Sequence, residues 1–342
     1  MLTSVALAAP VRADEQFDVG PSPVLNVQLN RGQLNIQTWD RPQVVILSDR
    51  PVEVQHLAPD QVDPRTPRQL QISSQQIQTP RGPVTLPAES FVLPELPGAQ
   101  HDAIVARGGG NVTIMIPRST AMVLANVRFG HLTLNDYHGV FVTHVRAAGI
   151  SLNDVGGTGF VESLRGRIVA TNSSFDRLRV RTATGNMLFQ GCTAHQIQAT
   201  STYGSIVYDN GHFQPGLARF ESEHGNVALG VRGGAQIGAH SGSGHVVSSF
   251  QNGAHVRGNP VTKQATVDGG GPVVTATSRN GSVYLYSGSI NEHPHVRQEL
   301  NGSTRLPSAF PNAMPRPTVQ MRPPAQMRPP AQPRPPPQRP PF

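Results

Sequence analysis

The chain has 342 residues, of which 14% are charged, while 34 are glycine and 32 are proline. This charged fraction lies well below the ~25% of ordinary soluble domains and disfavours helical bundles and nucleotide-binding α/β enzymes, whose helices need charged faces. A single cysteine, Cys192, excludes an internal disulfide framework and a cysteine-based zinc cluster, and no apolar run approaches the ~20 residues of a transmembrane helix.

Residues 1–13 are predicted to be a signal peptide that lacks its basic start. A short apolar stretch at residues 2–9 is followed by Val11-Arg12-Ala13, which fits a small-x-small cleavage site, and then by polar sequence typical of a mature N-terminus. An alanine-rich disordered N-terminus is the alternative. Export would place the protein outside the cytoplasm, in the periplasm, at the cell surface or secreted.

Residues 14–50 are predicted to form an N-terminal coil or cap. Apolar and polar residues alternate from Leu25 to Ile36, as in a strand with one buried face, and the segment ends with Trp39-Asp40. Residues 51–100 follow as an insertion rich in proline and glutamine, which separates this first coil from the regular array.

Residues 101–300 contain a repeat of about 19 residues, a period typical of solenoids. Each copy begins at an anchor position, usually glycine, and apolar residues stand two and four positions after the anchor and seven and five positions before it. This alternation predicts two short strands per coil. The anchors are residues 110, 130, 148, 166, 185, 204, 225, 244, 263 and 281, with Ala148 and Lys263 in place of glycine.

The repeat predicts an all-β fold, a single-stranded parallel β-helix of about ten coils. One inward row should contain the residues two positions after each anchor: Val112, Leu132, Ile150, Ile168, Met187, Ile206, Val227, Val246, Ala265 and Val283. Asn, Asp or Gly recurs six positions after the anchor, at Asp136, Asp154, Asn172, Gly191 and Asn210. These residues predict that successive coils turn the same corner with left-handed backbone geometry.

Residues 301–342 are predicted to form a disordered, extended tail, because its many prolines remove backbone donors and fix φ. Five of the seven net positive charges of the chain lie in residues 307–342, on Arg316, Arg322, Arg328, Arg334 and Arg339. The tail is either a spacer or a basic arm that contacts an anionic polymer. Since the rest of the chain shows no basic face with stacking aromatics, we predict no specific nucleic-acid partner.

The segment at residues 25–40, LNVQLNRGQLNIQTWD, is followed by the apolar run Val44-Val-Ile-Leu. It resembles the N-terminal signature of the putative-adhesin family of bacterial extracytoplasmic domains of unknown function, in which a G-x-I-x-I-x-x-W-D segment precedes a parallel β-solenoid. With the repeats counted, the similarity spans residues 14–288. The resemblance implies a right-handed β-helix at the cell envelope. The insertion and the tail depart from the family pattern.

Two acidic pairs are candidates for chemistry. Glu221 and Glu223 lie two apart on one strand, as a glycosidase pair could, but no cleft is predicted to desolvate them, so surface charges are the favoured interpretation. Asp136 and Asp154 occupy the same corner of successive coils and could share a calcium ion, although turn formation explains both. The sequence therefore predicts no catalytic residue, no cofactor and no metal.

A stripe of apolar residues is predicted on the outside of the array, three positions after the anchor. Its members are Val169, Leu188, Val207, Ala228 and Val247. A contiguous apolar row is usually covered, here by the insertion, by a second copy of the chain or by a ligand, and ordinary β-propensity is the alternative. We expect the insertion to be the cover, because Leu70, Ile72, Ile77 and Val84 need a place to be buried.

Together these patterns predict an exported, non-enzymatic β-solenoid that acts as an adhesin-like binding or scaffold protein of the cell envelope. Its partner would be an envelope or surface polymer or protein, and a homo-oligomer is one way to cover the stripe. The alternative is a carbohydrate-active β-helix enzyme, a polysaccharide lyase or hydrolase. Cleavage of a glycan by the purified protein would distinguish the two.

Overall fold

The alternating apolar pattern gives strands along nearly the whole described chain, and one α-helix follows them. The computed structural model describes residues 13–58, 69–79, 82–92, 94, 101–250 and 254–303. The N-terminal strands are β1 (Ala13–Asp18), β2 (Val24–Trp39), β3 (Gln43–Ser48) and β4 (Glu53–Leu57). The insertion contributes β5 (Gln69–Ile72), β6 (Gln75–Thr79), β7 (Gly82–Leu86) and β8 (Glu89–Val92).

The repeat array contains the remaining strands. Its first half has β9 (Ala103–Gly108), β10 (Val112–Pro117), β11 (Met122–Asn135), β12 (His138–Asn153), β13 (Gly156–Arg165), β14 (Ile168–Thr171), β15 (Ser174–Thr184), β16 (Met187–Gln190) and β17 (Thr193–Tyr203). Its second half has β18 (Ile206–Phe213), β19 (Leu217–His224), β20 (Val227–Arg232), β21 (Ala235–Ser241), β22 (Val246–Ser249), β23 (Ala254–Gly258), β24 (Thr262–Val267), β25 (Val273–Ser278) and β26 (Val283–Ser287). A short 3₁₀ turn (Ile290–Glu292) and helix α1 (Pro294–Ser303) follow.

The strands stack in two layers, one formed by the segments before the anchors and one by the segments after them. The upstream layer has the strand order β4, β9, β2, β11, β12, β13, β15, β17, β19, β25, β21, β24, β23. The downstream layer has the order β1, β3, β10, β2, β11, β12, β14, β16, β18, β20, β26, β22. The pairings from β9 to β21 in the upstream layer and from β10 to β22 in the downstream layer are parallel, which confirms the predicted parallel β-solenoid. Antiparallel pairing occurs only at the ends of the described layers, where β4, β24 and β23 extend the upstream layer and β3 and β1 extend the downstream layer.

The core lies between the two layers and contains the predicted inward side chains. All ten residues of the predicted inward row are buried. The corner prediction is also confirmed: Asp136, Asp154, Asn172, Gly191 and Asn210 all have φ between 51° and 61°. The anchor glycines stack directly over one another. A side chain on Gly185 would therefore overlap the carbonyl oxygen of Gly166 in the adjacent coil.

The order of the coils at the N-terminal end differs from the predicted order along the chain. Strand β2 lies between β10 and β11, so that Leu34 is opposite both Val112 and Leu132. Strands β3 and β1 continue the downstream layer beyond β10 in antiparallel pairing. The first coil is therefore held on both sides by strands that are distant from it in sequence.

Strand order also departs from chain order at the C-terminal end, and we call this departure at either end the strand exchange. Strand β26 lies between β20 and β22, so that Val283 is opposite both Val227 and Val246. The prediction of a coil at Lys263 is wrong, because β24 runs antiparallel to β21 and places Lys263 opposite Ala239. A hairpin of β23 and β24 thus closes the upstream layer where a further parallel coil was expected.

Candidate functional site

The predicted outward stripe is continuous in the structure, and its centre is buried. Three central members are Leu188 (6% exposed), Val207 (2%) and Ala228 (0%). Because of the strand exchange, Tyr284 of β26 lies between Ala228 and Val247 and is buried as well. Val169 and Val247, at the two ends, are half-buried. Outward side chains are buried in this way only where another part of the molecule lies over them.

The C-terminal helix lies against this stripe at Tyr284. Val296 and Leu300 of α1 are both buried. The side chain of Tyr284, an outward residue of the stripe, is hydrogen-bonded to Glu299 on the same helix. Helix α1 therefore contacts the outer surface of the downstream layer at Tyr284.

A buried carboxylate holds the segment that leads into the helix. Asp209 accepts hydrogen bonds from the backbone N–H of Ile290 (2.6 Å) and from the hydroxyl of Tyr286 (3.3 Å). Burial raises the pKa of Asp209 above its usual value, and these hydrogen bonds oppose the shift only in part. The side chain thus fixes the start of the 3₁₀ turn against the solenoid.

The insertion packs on the other layer, so the prediction that it covers the stripe is wrong. Ile77, Val84 and Leu86 form a cluster with Leu164 and Ala183 on the upstream layer. The ring of Phe91 packs on that of Phe160 with centroids 5.6 Å apart. The side chains of Leu70 and Ile72 lie outside the described residues. The apolar face of the insertion thus packs on Phe160, Leu164 and Ala183, and the inward and outward rows of the repeat did not predict these contacts.

An ionic network fastens the insertion to the upstream layer. The fully buried carboxylate of Glu162 is bound by the guanidinium of Arg181 and by Nδ1 of His144, which lies 2.6 Å away. From the insertion, Nε2 of Gln75 donates to Oε1 of Glu162 at 3.1 Å, and Oε2 of Glu89 lies 3.5 Å from Nη1 of Arg181. Two residues of the insertion are thus held by one buried pair of the solenoid.

Both ring nitrogens of His144 take part in this network. A carboxylate only accepts hydrogen bonds, so Nδ1 of His144 carries the proton that faces Glu162. In the neutral ring Nε2 is then an acceptor, and the amide of Gln75 lies 3.3 Å from it. The imidazole therefore bridges the solenoid and the insertion.

Beside the insertion, the upstream layer carries an open groove of about 270 Å³. It is lined by residues of three neighbouring strands, namely Gln28, Leu29 and Asn30 of β2, Asn126 and Arg128 of β11, and His144 and Arg146 of β12. The strand register aligns Gln28, Asn126 and His144 in one row across the strands. Adjacent members of such a row are ~4.8 Å apart along the solenoid axis.

The groove is electropositive. Two arginines line it and no acidic side chain does, while the carboxylate next to His144 belongs to Glu162 and is bound by Arg181. The ring of Phe129, 38% exposed, lies 5.4 Å from the guanidinium of Arg128 and adds an apolar surface at the margin. Forked guanidinium groups bind carboxylate, sulfate or phosphate, and the neighbouring amides suit hydroxyl groups.

The Trp39-Asp40 segment and the corner aspartates have structural partners. The indole N–H of Trp39 donates to the carbonyl of Gln43 at 2.7 Å. Arg118 binds Asp40 at 2.7 Å and Asp136 at 2.8 Å and so joins the corners of two stacked coils. Partial burial alone would raise the pKa of Asp136, but the hydrogen bonds from Arg118 and Thr38 leave it below its usual value.

The acidic pair Glu221 and Glu223 forms surface ion pairs with two different arginines. Glu221 pairs with Arg219 at 2.6 Å and Glu223 with Arg279 at 3.0 Å, both at the surface. Among the described residues, no group of three His, Cys, Asp or Glu side chains is arranged to hold a metal ion.

The predicted signal peptide and the five predicted polyanion contacts of the tail lie outside the described residues, apart from Ala13 in β1. In the part of the chain that the structure describes, no helix is long and apolar enough to cross a bilayer.

The fold and the groove define a parallel β-solenoid with a covering insertion and a basic outer groove. The chain belongs to the Toastrack DUF4097 family, whose model matches residues 83–285, more than half of its length. This match confirms the predicted family resemblance, although Trp39-Asp40 lies outside the matched residues. Among solved structures, the chain is similar to a putative cell adhesion protein from Clostridium sporogenes ATCC 15579, with 9% identity, coverage of 81% of this chain and 99% of that chain, and a TM-score of 0.21. No curated protein matches the chain.

Proposed function

We propose that this protein is an exported, non-enzymatic β-solenoid that binds an anionic polysaccharide or wall polymer at the bacterial cell envelope. The observation that carries the proposal is the pair Arg128 and Arg146 on adjacent strands of an open groove that no acidic side chain lines. The groove would be the binding site, and the predicted signal peptide and arginine-rich tail would serve export and additional contact with the polymer.

The geometry of the groove suits a linear polymer that lies along the solenoid axis. Val127 is opposite Val145 and Phe129 is opposite Ala147, so Arg128 and Arg146 are neighbours across the strands. Strand spacing gives them a separation of ~4.8 Å along the axis. A polymer in this direction meets a guanidinium at each of two successive strands and amide groups on either side of them.

The absence of enzymatic activity is supported by the chemistry of the lining residues. Glycoside hydrolysis needs two carboxyl groups that flank the bond, and no carboxylate lines the groove. The carboxylate beneath His144, Glu162, is engaged by Arg181. Binding of a polymer through ion pairs and through hydrogen bonds to its hydroxyl groups does not need a free carboxylate.

Retention on immobilised polymers tests this proposal. Wild-type protein should be retained on polygalacturonate or poly(glycerol phosphate) and should pass through a neutral glucan. The double variant Arg128→Ala/Arg146→Ala should lose at least tenfold in affinity. The matched control Arg219→Ala/Arg232→Ala removes two exposed arginines far from the groove and should bind as the wild type does. Equal losses in both double variants would contradict a specific groove and leave only net charge.

One observation favours a second candidate function, a polysaccharide lyase. His144 lies in the groove with two arginines and is backed by the buried carboxylate of Glu162. In a lyase, cations neutralise a substrate carboxylate while a base removes the neighbouring proton. Appearance of an unsaturated, ultraviolet-absorbing product, lost in His144→Ala, would support the enzyme. Retention of intact polymer without product would support the binding protein. In that case the contact of the Gln75 amide with Nε2 of His144 would keep this nitrogen from acting as the base.

A further inference from the structure

The two ends of the upstream layer are edge strands with opposite charge. Among the described residues, β4 pairs only with β9 at one end, and β23 pairs only with β24 at the other. The edge strand β4 contains Glu53 and no Lys or Arg, whereas the edge strand β23 contains Arg257 and no acidic residue. Charges on edge strands usually prevent pairing with another copy by repulsion. Here the charges of the two ends attract.

A core position remains open at the C-terminal end. Val256 of β23 is aligned with Ala265 and Ile237, which are inward and buried, yet Val256 itself is 38% exposed. At the N-terminal end, Val54 of β4 is opposite the buried Ala106 and packs partly against the core. Each end of the layer thus finishes with a valine in an inward column.

We propose that a second copy of this chain docks end to end, with β4 of one protomer paired antiparallel with β23 of the next. The strand directions permit this pairing: β4 runs against the coils, and β23 runs with them because two antiparallel steps separate it from β21. In the register that opposes Val54 and Val256, Glu53 falls opposite Arg257. The valines then extend the core, and the ion pair lies on the outer surface.

This contact joins different surfaces of the two protomers, so it does not close on itself and generates a row of protomers. It does not depend on the proposed polymer groove. Both charged residues are exposed in the single chain, so their reversal should leave the fold intact. Association can therefore be tested separately from stability and from polymer binding.

A charge-reversal cycle tests the proposal. Sedimentation velocity of the full chain at low salt should show association that grows with concentration. Glu53→Arg and Arg257→Glu should each weaken association at least tenfold, and the double variant should recover it, with the same melting temperature in all four proteins. A wild-type protein that is monomeric throughout, or single variants that associate normally, would overturn the proposal.

Cross-linking distinguishes end-to-end pairing from pairing of identical edges. The register places Gln55 opposite His255 of the next protomer, so Gln55→Cys and His255→Cys are prepared separately and then mixed under oxidising conditions. A disulfide-linked dimer should form in the mixture and in neither variant alone, since the native Cys192 is buried. A dimer of one variant alone, or none in the mixture, would overturn the proposed contact.

Discussion

Replacing Glu162 with alanine should destabilise the protein far more than replacing Glu221, although both residues face outward in the same row of the upstream layer. Glu162 is fully buried, and its removal leaves the guanidinium of Arg181, only 4% exposed, without its principal counter-charge. Breaking a buried pair on one side costs about 3–5 kcal/mol. Glu221 pairs with Arg219 at the surface, where such pairs contribute about 0–1 kcal/mol.

Denaturant unfolding of the two variants measures this difference directly. We expect Glu162→Ala to lose at least about 2 kcal/mol more than Glu221→Ala, and we expect limited proteolysis to cut the insertion more rapidly in Glu162→Ala alone. Adding Arg181→Met to Glu162→Ala should restore part of the loss, because it removes the uncompensated charge. Equal losses in the two single variants, or no recovery with Arg181→Met, would refute the role assigned to the network.

Three further predictions concern the C-terminal segment and the thiol. Burial raises the pKa of Asp209, so the wild type should gain stability relative to Asp209→Asn as the pH falls through that raised pKa. The gain should level off below the pKa that Asp209 has in the unfolded chain. Denaturant unfolding of both proteins across a range of pH measures this difference. Leu300→Ala should cost about 2–5 kcal/mol in denaturant unfolding, and the exposed neighbour Gln298→Ala within about 0.5 kcal/mol. Cys192 should resist alkylation in the native protein and react after unfolding, since burial raises its thiol pKa to about 12.

The repeat pattern predicts the local geometry of the coils well, because alternation and turn chemistry depend on neighbouring residues. Ile206 and Val227 are buried opposite each other as predicted, and the corner residue Asn210 has φ of 54°. The degenerate anchor Ala148 also keeps its register, with Ile150 opposite Leu132. These features follow from sterics within one coil and its immediate neighbour.

Which coil stacks on which cannot be read from the same pattern. The inward residues of different coils are chemically similar, so Val227 can accept Val246 or Val283 as its neighbour with little difference in buried area. The structure selects Val283, because the antiparallel hairpin that contains Lys263 occupies the end of the upstream layer. Strand order is thus decided by long-range pairing.

Strict alternation also misplaces a set of polar residues. It predicts that Ser205 and Asn226 face outward, yet both are buried. Asn186 accepts from the backbone N–H of Ser205, and the hydroxyl of Ser205 accepts from the N–H of Asn226. These side chains form a ladder that satisfies backbone groups between coils, where the chain bends at the anchor and alternation is interrupted.

A second polar column is missed although the sequence contains a signal for it. Serine recurs three positions before the anchor, and the hydroxyls of Ser222, Ser241 and Ser278 each donate to the anchor carbonyl of the adjacent coil at 2.7–2.8 Å. The motif Ser-x-x-Gly marks this contact. A buried hydroxyl is tolerated at each bend because it has an acceptor there.

The groove could not be predicted because the strand exchange assembles it. Gln28 and Asn30 come from the first coil, and Asn126 and Arg128 come from a coil about 100 residues later in the chain. They become neighbours only because β2 lies between β10 and β11. No local pattern in either segment indicates that the two would line one site.

Calorimetric titration with polygalacturonate oligomers over a range of salt concentrations tests most directly whether Arg128 and Arg146 bind an anionic polymer. We expect the wild-type affinity to fall steeply with salt. The variant Arg128→Ala/Arg146→Ala should bind weakly and with a shallower salt dependence, because two positive charges are lost. The control Arg219→Ala/Arg232→Ala should match the wild type in both affinity and slope. An unchanged affinity and slope in the groove variant would show that Arg128 and Arg146 do not bind the polymer.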